Sequence, residues 1–174
     1  MMEGESRAGF TCSVCGESHL LSLSYSFKFP LALAAIPEEE RDARVVWTPD
    51  QCVIDNKDFY LRGRIPVPIH GLEEPFIWGV WAEVSPKNFI RTNELWNTEG
   101  REAEPAFAGY LNSELLPYGN TVDLELSVQT QSVGRRPHFT VSDPNHPLAI
   151  EQHTGISLER IERIAEQVLH PEAE

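Results

Sequence analysis

A chain of 174 residues, 41% hydrophobic and 9% aromatic, is long enough to bury roughly 70% of the surface its unfolded form exposes, so neither general disorder nor a need for disulfides is expected. Fourteen Lys and Arg stand against 27 Asp and Glu, a formal net charge of -13. A phosphate backbone is repelled by that mean field, which excludes nucleic acid as the default partner.

Three cysteines, two of them in a Cys-x-x-Cys, argue against a secreted disulfide scaffold. Residues 1–9, with Glu3, Glu5, Ser6 and Arg7, are polar and lack the apolar core of a signal peptide. They read as a disordered tail. No segment reaches 18 uninterrupted apolar residues, so no membrane partner is expected and a cytoplasmic location is.

The ordered chain is expected over residues 10–170, as one domain that opens on Phe10-Thr11-Cys12-Ser13-Val14-Cys15-Gly16. Gly16 after the second cysteine fits the tight turn of a zinc knuckle. Leu21, Leu23, Tyr25, Phe27 and Phe29 alternate and predict a strand or an irregular covering segment. Pro37 to Arg44 reads as a short helix with acid near its N-terminus, and Cys52 falls just before a strand or in a short one of its own.

Phe59 to Val67 alternates apolar and polar side chains, Phe76 to Val84 does so with larger ones, and the His70 to Pro75 stretch has the composition of a turn. The two pair antiparallel as the organising strands. Val122 to Thr130 offers another apolar face through Val122, Leu124, Leu126 and Val128. Ser85 caps a helix with Pro86 in first position, Phe107 to Leu111 restarts packing, and Pro137 to Val141 predicts a further strand.

Asp143 to Ala149 reads as an Asx turn or cap into a helix that Gly155 ends. Ser157 caps a terminal helix whose Leu158, Ile161, Ile164, Ala165 and Val168 form one apolar stripe. The fold class that follows is α+β: an antiparallel sheet packed against helices, with an N-terminal zinc-knuckle-like segment.

Cys12 and Cys15 are the sharpest chemical signal, because two thiolates three residues apart can occupy adjacent corners of a zinc tetrahedron. His19 and Cys52 complete the expected set, one structural zinc per chain. A remote imidazole from His138, His146 or His153 is the alternative to His19. Thiol redox chemistry would require a helix after the motif, and Gly16, Glu17 and Ser18 do not start one.

Asp50, Asp55 and Asp58 lack the glycine and ordered spacing of a calcium loop and read as turn caps. Arg62, Arg64 and Arg91 are candidates for an anion pocket, and His146 for a general base or metal ligand. Trp78 and Trp81 fall on opposite faces of a regular strand unless a bulge intervenes at Gly79.

Several words recur in one order: Phe10-x-Cys12-x-x-Cys15-Gly16-x-x-His19, Asp50-x-Cys52-x-Ile54-Asp55, Phe59-Tyr60-x-Arg62-Gly63, Phe76-x-Trp78-Gly79-x-Trp81, Gly109-Tyr110-Leu111, and His146-Pro147-Leu148 with Gln152 and Gly155-Ile156. Together they resemble the domain of unknown function 2199 family of uncharacterised bacterial proteins. The resemblance implies a small cytoplasmic bacterial protein and supplies no reaction.

Two function classes stand at this point. The first is a non-enzymatic accessory or interaction domain, with a protein partner, stabilised by structural zinc. The second is a small enzyme or anionic-ligand-binding protein that gathers Asp55, Arg62, Arg91 and His146 in a polar cleft.

Overall fold

The structure, a computed structural model, describes residues 9–172. The tail expected over residues 1–9 lies outside them except for Gly9, which begins a strand. Ten strands and five α-helices follow. The N-terminal half comprises β1 (Gly9–Thr11), β2 (Ser18–Leu20), β3 (Ser24–Ser26), α1 (Leu31–Ala34), α2 (Glu38–Arg44), β4 (Val45–Trp47), β5 (Gln51–Ile54), β6 (Asp58–Val67) and β7 (Phe76–Val84). The rest comprises α3 (Pro86–Glu94), β8 (Phe107–Leu111), β9 (Glu125–Gln129), β10 (His138–Val141), α4 (Pro147–Thr154) and α5 (Leu158–Leu169).

The alternating pattern of β6 and β7 produces the longest ladder, antiparallel and unbroken from Phe59 opposite Val84 to Val67 opposite Phe76. No bulge interrupts it at Gly79. Side chains therefore alternate strictly: Leu61, Ile65, Val67, Phe76, Trp78 and Val80 face the main core, while Tyr60 and Trp81 face a smaller cluster on the other side.

The sheet is not the simple antiparallel layer that sequence predicts, because it closes. β6, β7, β8 and β9 lead antiparallel to β10, and β10 returns to β6 in parallel through His138 opposite Arg64. Strand directions alternate along such a meander, so a ring with an odd number of strands must close on a parallel pair. A second parallel pair sets β3 on β7.

The two long strands each divide their outer edge between two partners. β7 meets β3 along its first half and β8 near its end. β6 meets β5 through Leu61 and β10 at Arg64. Around that change of partner the Arg62 N–H donates to the Asp50 carbonyl at 3.0 Å and the Arg64 N–H to the Pro137 carbonyl at 2.9 Å.

Inside the ring, Phe139 of β10 lies over β6 at Gly63, where an added Cβ would run into its ring. Only glycine admits that approach. Ile161, Ile164 and Ala165 of α5 are fully buried in the same core and Val168 packs against it, whereas Leu158 in the first turn is exposed. Ser157 caps α5 and Ser85 caps α3, each accepting a backbone N–H at 3.1 Å. Among the described residues, no helix is long and apolar enough to cross a membrane.

Candidate metal centre

β1 and β2 form a small antiparallel hairpin in which Phe10 faces His19. The Cys-x-x-Cys occupies its loop. Cys12 donates its N–H to the Glu17 carbonyl and accepts from the Gly16 N–H, both at 2.9 Å, so the loop doubles back over its own first residue. Gly16 turns the chain at φ +77, a value that side-chain-bearing residues rarely adopt. That fold-back brings Cys15 Sγ within 3.2 Å of His19 Nε2.

The other side of the group comes from the far end of the chain. The carboxylate of Glu166, in the last turn of α5, accepts the backbone N–H of Ser13 and is itself buried. This contact holds the Glu166 carboxyl below the usual carboxylate range, with Arg163 and His170 acting in the same direction. His170 is the C-terminal cap of α5, one turn beyond Glu166, and its ring lies 6.0 Å from that of His19 at a tilt of 58°.

Cys12, Cys15, His19 and His170 each offer one ligand atom, and these atoms all lie within 4.8 Å of one another. Such a group could hold a metal ion. Tetrahedral zinc, with sulfur at about 2.3 Å and nitrogen at about 2.0–2.1 Å, separates its ligands by about 3.3–3.8 Å, so closure needs side-chain movements of only about 1 Å. Two thiolates and two neutral imidazoles also cancel a divalent charge.

A further observation points the same way. His170 Nε2 is buried and has no hydrogen-bond partner among the described residues. A buried polar atom left alone costs about 1–3 kcal/mol, and a metal bound through this nitrogen would relieve that cost.

Cys52, expected as the fourth ligand, is elsewhere. It lies on β5 between Trp47 and Tyr60, fully buried in the smaller apolar cluster with Leu33, Ile36 and Trp81. Burial pushes its thiol up to about 11. Alternation along β5 directs Cys52 into that cluster, so being the one remaining cysteine was no guide to its neighbours. The three remote histidines considered as substitutes are also absent from the group: His138 pairs with Arg64, His146 caps α4 and His153 is exposed.

His170 is the residue that sequence reading missed. No local pattern marked it, because His170 meets the hairpin only through the packing of α5.

The polar cleft of Asp55, Arg62, Arg91 and His146 does not assemble. Asp55 sits at φ 54 in the β5–β6 turn, where the Arg44 guanidinium bonds both its oxygens at 2.9 Å. Arg91 on α3 is bonded to Glu104 at 2.9 and 3.2 Å. His146 Nδ1 accepts the Leu148 N–H at 3.1 Å as the cap of α4. Each of these three side chains, in a turn or at a helix end, is thus already engaged by a partner outside the expected cleft. Of the four, only Arg62 lines the cleft of about 580 Å³ beside β6.

A family model described as "Uncharacterized protein conserved in bacteria (DUF2199)" matches residues 11–156, most of the chain. Cys12, Cys15 and His19 lie inside the matched span and His170 lies beyond it. No curated protein and no solved structure matches.

Proposed function

We propose, for a chain that belongs to the DUF2199 family, a non-enzymatic accessory or interaction domain whose first and last elements are fastened together by one structural zinc. The observation that carries this reading is the buried His170 Nε2, without a partner among the described residues, on a member of a group of two cysteines and two histidines. Four protein ligands would fill a tetrahedral shell. Such a shell holds its loops but gives water or substrate no coordination position, which separates a structural ion from a catalytic one.

The chemistry of the ligands explains what the ion would do. Cys12, Cys15 and His19 belong to a hairpin of two three-residue strands, too small to be stable alone. His170 belongs to a helix anchored in the main core by Ile161 and Ile164. Zinc would thus couple a weak element to a strong one, leaving the barrel to fold by its own burial.

Protein purified without chelator is expected to carry close to one zinc per chain. His170→Ala should lose it and Cys52→Ala should keep it. A Cys52→Ala protein without zinc, or metal-dependent hydrolysis of model esters by the wild type, would contradict the closed structural site.

A further inference from the structure

The strand exchange on β6 opens a cleft of about 580 Å³, within the range of small-molecule sites. Its charge is opposite to that of the chain. Arg62, Arg64, Arg101, Arg135 and Arg136 line it, with Asp50 the sole carboxylate among its lining residues. The whole chain has 14 basic residues and 27 acidic ones, so five arginines against one acid is a concentration the composition does not supply by chance.

The arginines divide by what their guanidiniums already do. Arg101 is buried and spends its donors on the carbonyls of Trp96, Gln131, Ser132 and Arg135, at 2.7–3.1 Å. It shapes the loop before β10 and thereby presents Arg135 and Arg136. Arg136 bonds Asp50 across the parting of β5 and β10 at 2.7 Å. Arg62 donates one Nη1 bond to the Pro49 carbonyl at 3.1 Å, while its buried Nε has no partner among the described residues.

Arg64 and Arg135 make no side-chain ion pair among the described residues. Burial and the neighbouring Arg136 disfavour the charged form of Arg62, with Asp50 opposing them. An anion placed among these groups would relieve both the orphan Nε and the like-charge repulsion.

We propose that this cleft binds a small organic phosphate, its phosphate held by Arg62, Arg64 and Arg135 and its body laid against Trp96, Phe107 and Val128. A monocarboxylate is satisfied by a single bidentate arginine. A phosphate monoester offers three acceptor oxygens and a charge of about -1.5 to -2, which suits three guanidiniums with open donors. The net charge of -13 opposes a long polyanion, so the occupant is a small molecule and not a nucleic acid strand. The site shares no residue with the metal group.

The test is calorimetric titration of the intact protein with adenosine 5′-monophosphate, inorganic phosphate, adenosine and a short oligothymidylate, with zinc content measured on the same sample. Saturable binding of the monophosphate is expected, and none of adenosine. The Arg64→Ala, Arg135→Ala double variant should weaken it at least about tenfold with an unchanged melting midpoint. Should that variant melt early, Arg64→Lys with Arg135→Lys keeps the charge, removes the planar fork and should still bind less tightly. No saturable binding of either phosphate probe below about 10 mM, equal affinity in the variants, or tighter binding of the oligothymidylate would overturn the proposal.

Discussion

Glu166, near the C-terminal end of the last helix, accepts the backbone N–H of Ser13, inside the first loop of the described chain. The Glu166 carboxylate is buried, and the contact positions Cys12 and Cys15 against the helix that His170 caps. Outer contacts of this kind orient metal ligands, and their loss commonly costs about 10–100-fold in affinity. Glu166→Ala is therefore expected to bind zinc more weakly by that factor, as measured by competition with a chromophoric chelator. Equal affinity would mean that the loop holds its shape without the helix.

The cysteines should differ in reactivity. Cys15 is exposed, whereas Cys52 is buried among apolar side chains with its thiol pushed up to about 11. At neutral pH Cys52 is a buried thiol, not a thiolate, and should resist iodoacetamide in the folded protein with or without chelator. Chelation should expose Cys15 to alkylation while Cys52 reacts only in denaturant. Rapid native alkylation of Cys52 would contradict its placement on β5.

Core substitutions test the ring. Gly63→Ala forces a methyl group into the Phe139 ring and should cost about 1–3 kcal/mol by urea unfolding. Ile161→Asp places an unpaired carboxylate at a fully buried position of α5 and should cost about 3 kcal/mol or more. An unchanged midpoint in either variant would be incompatible with the closure of β10 on β6 or with the docking of the last helix.

His138 links the ring to pH. Burial, with Arg64 and Arg135 beside it, holds its pKa below the ordinary 6.5. The unfolded chain then binds the proton more readily than the folded one, so this residue's contribution raises stability as pH rises through the window just below 6.5 and lowers it on acidification. His138→Gln should flatten the pH dependence relative to wild type between about pH 5 and 7. Identical curves would mean that His138 is not held neutral by its neighbours.

Much of the local structure was legible because it follows from short-range rules. Ser85 and Ser157 cap the helices their sequence context predicts, and strict alternation placed Trp78 and Trp81 on opposite faces. Val122 to Thr130 was overextended: only Glu125–Gln129 is strand, since Asp123 turns the chain at φ 69. Ring closure was not legible at all, because it rests on one register pair, His138 with Arg64, whose alternation is as compatible with an open sheet.

The metal group was half legible for the same reason. Cys12, Cys15 and His19 are brought together by one hairpin, whereas His170 arrives only when α5 packs. The basic cleft shows the same limit: Arg62 and Arg64 share a strand face, but Arg101 and the Arg135-Arg136 pair reach them through tertiary folding.

X-ray absorption at the zinc edge of the purified protein tests the central claim most directly. Two sulfur scatterers at about 2.3 Å and two imidazole nitrogens at about 2.0–2.1 Å are expected, with no exchangeable water oxygen. His170→Ala should lose the ion. Three sulfurs with one nitrogen, which would bring Cys52 to the metal, or a water in the fourth position, would contradict the account.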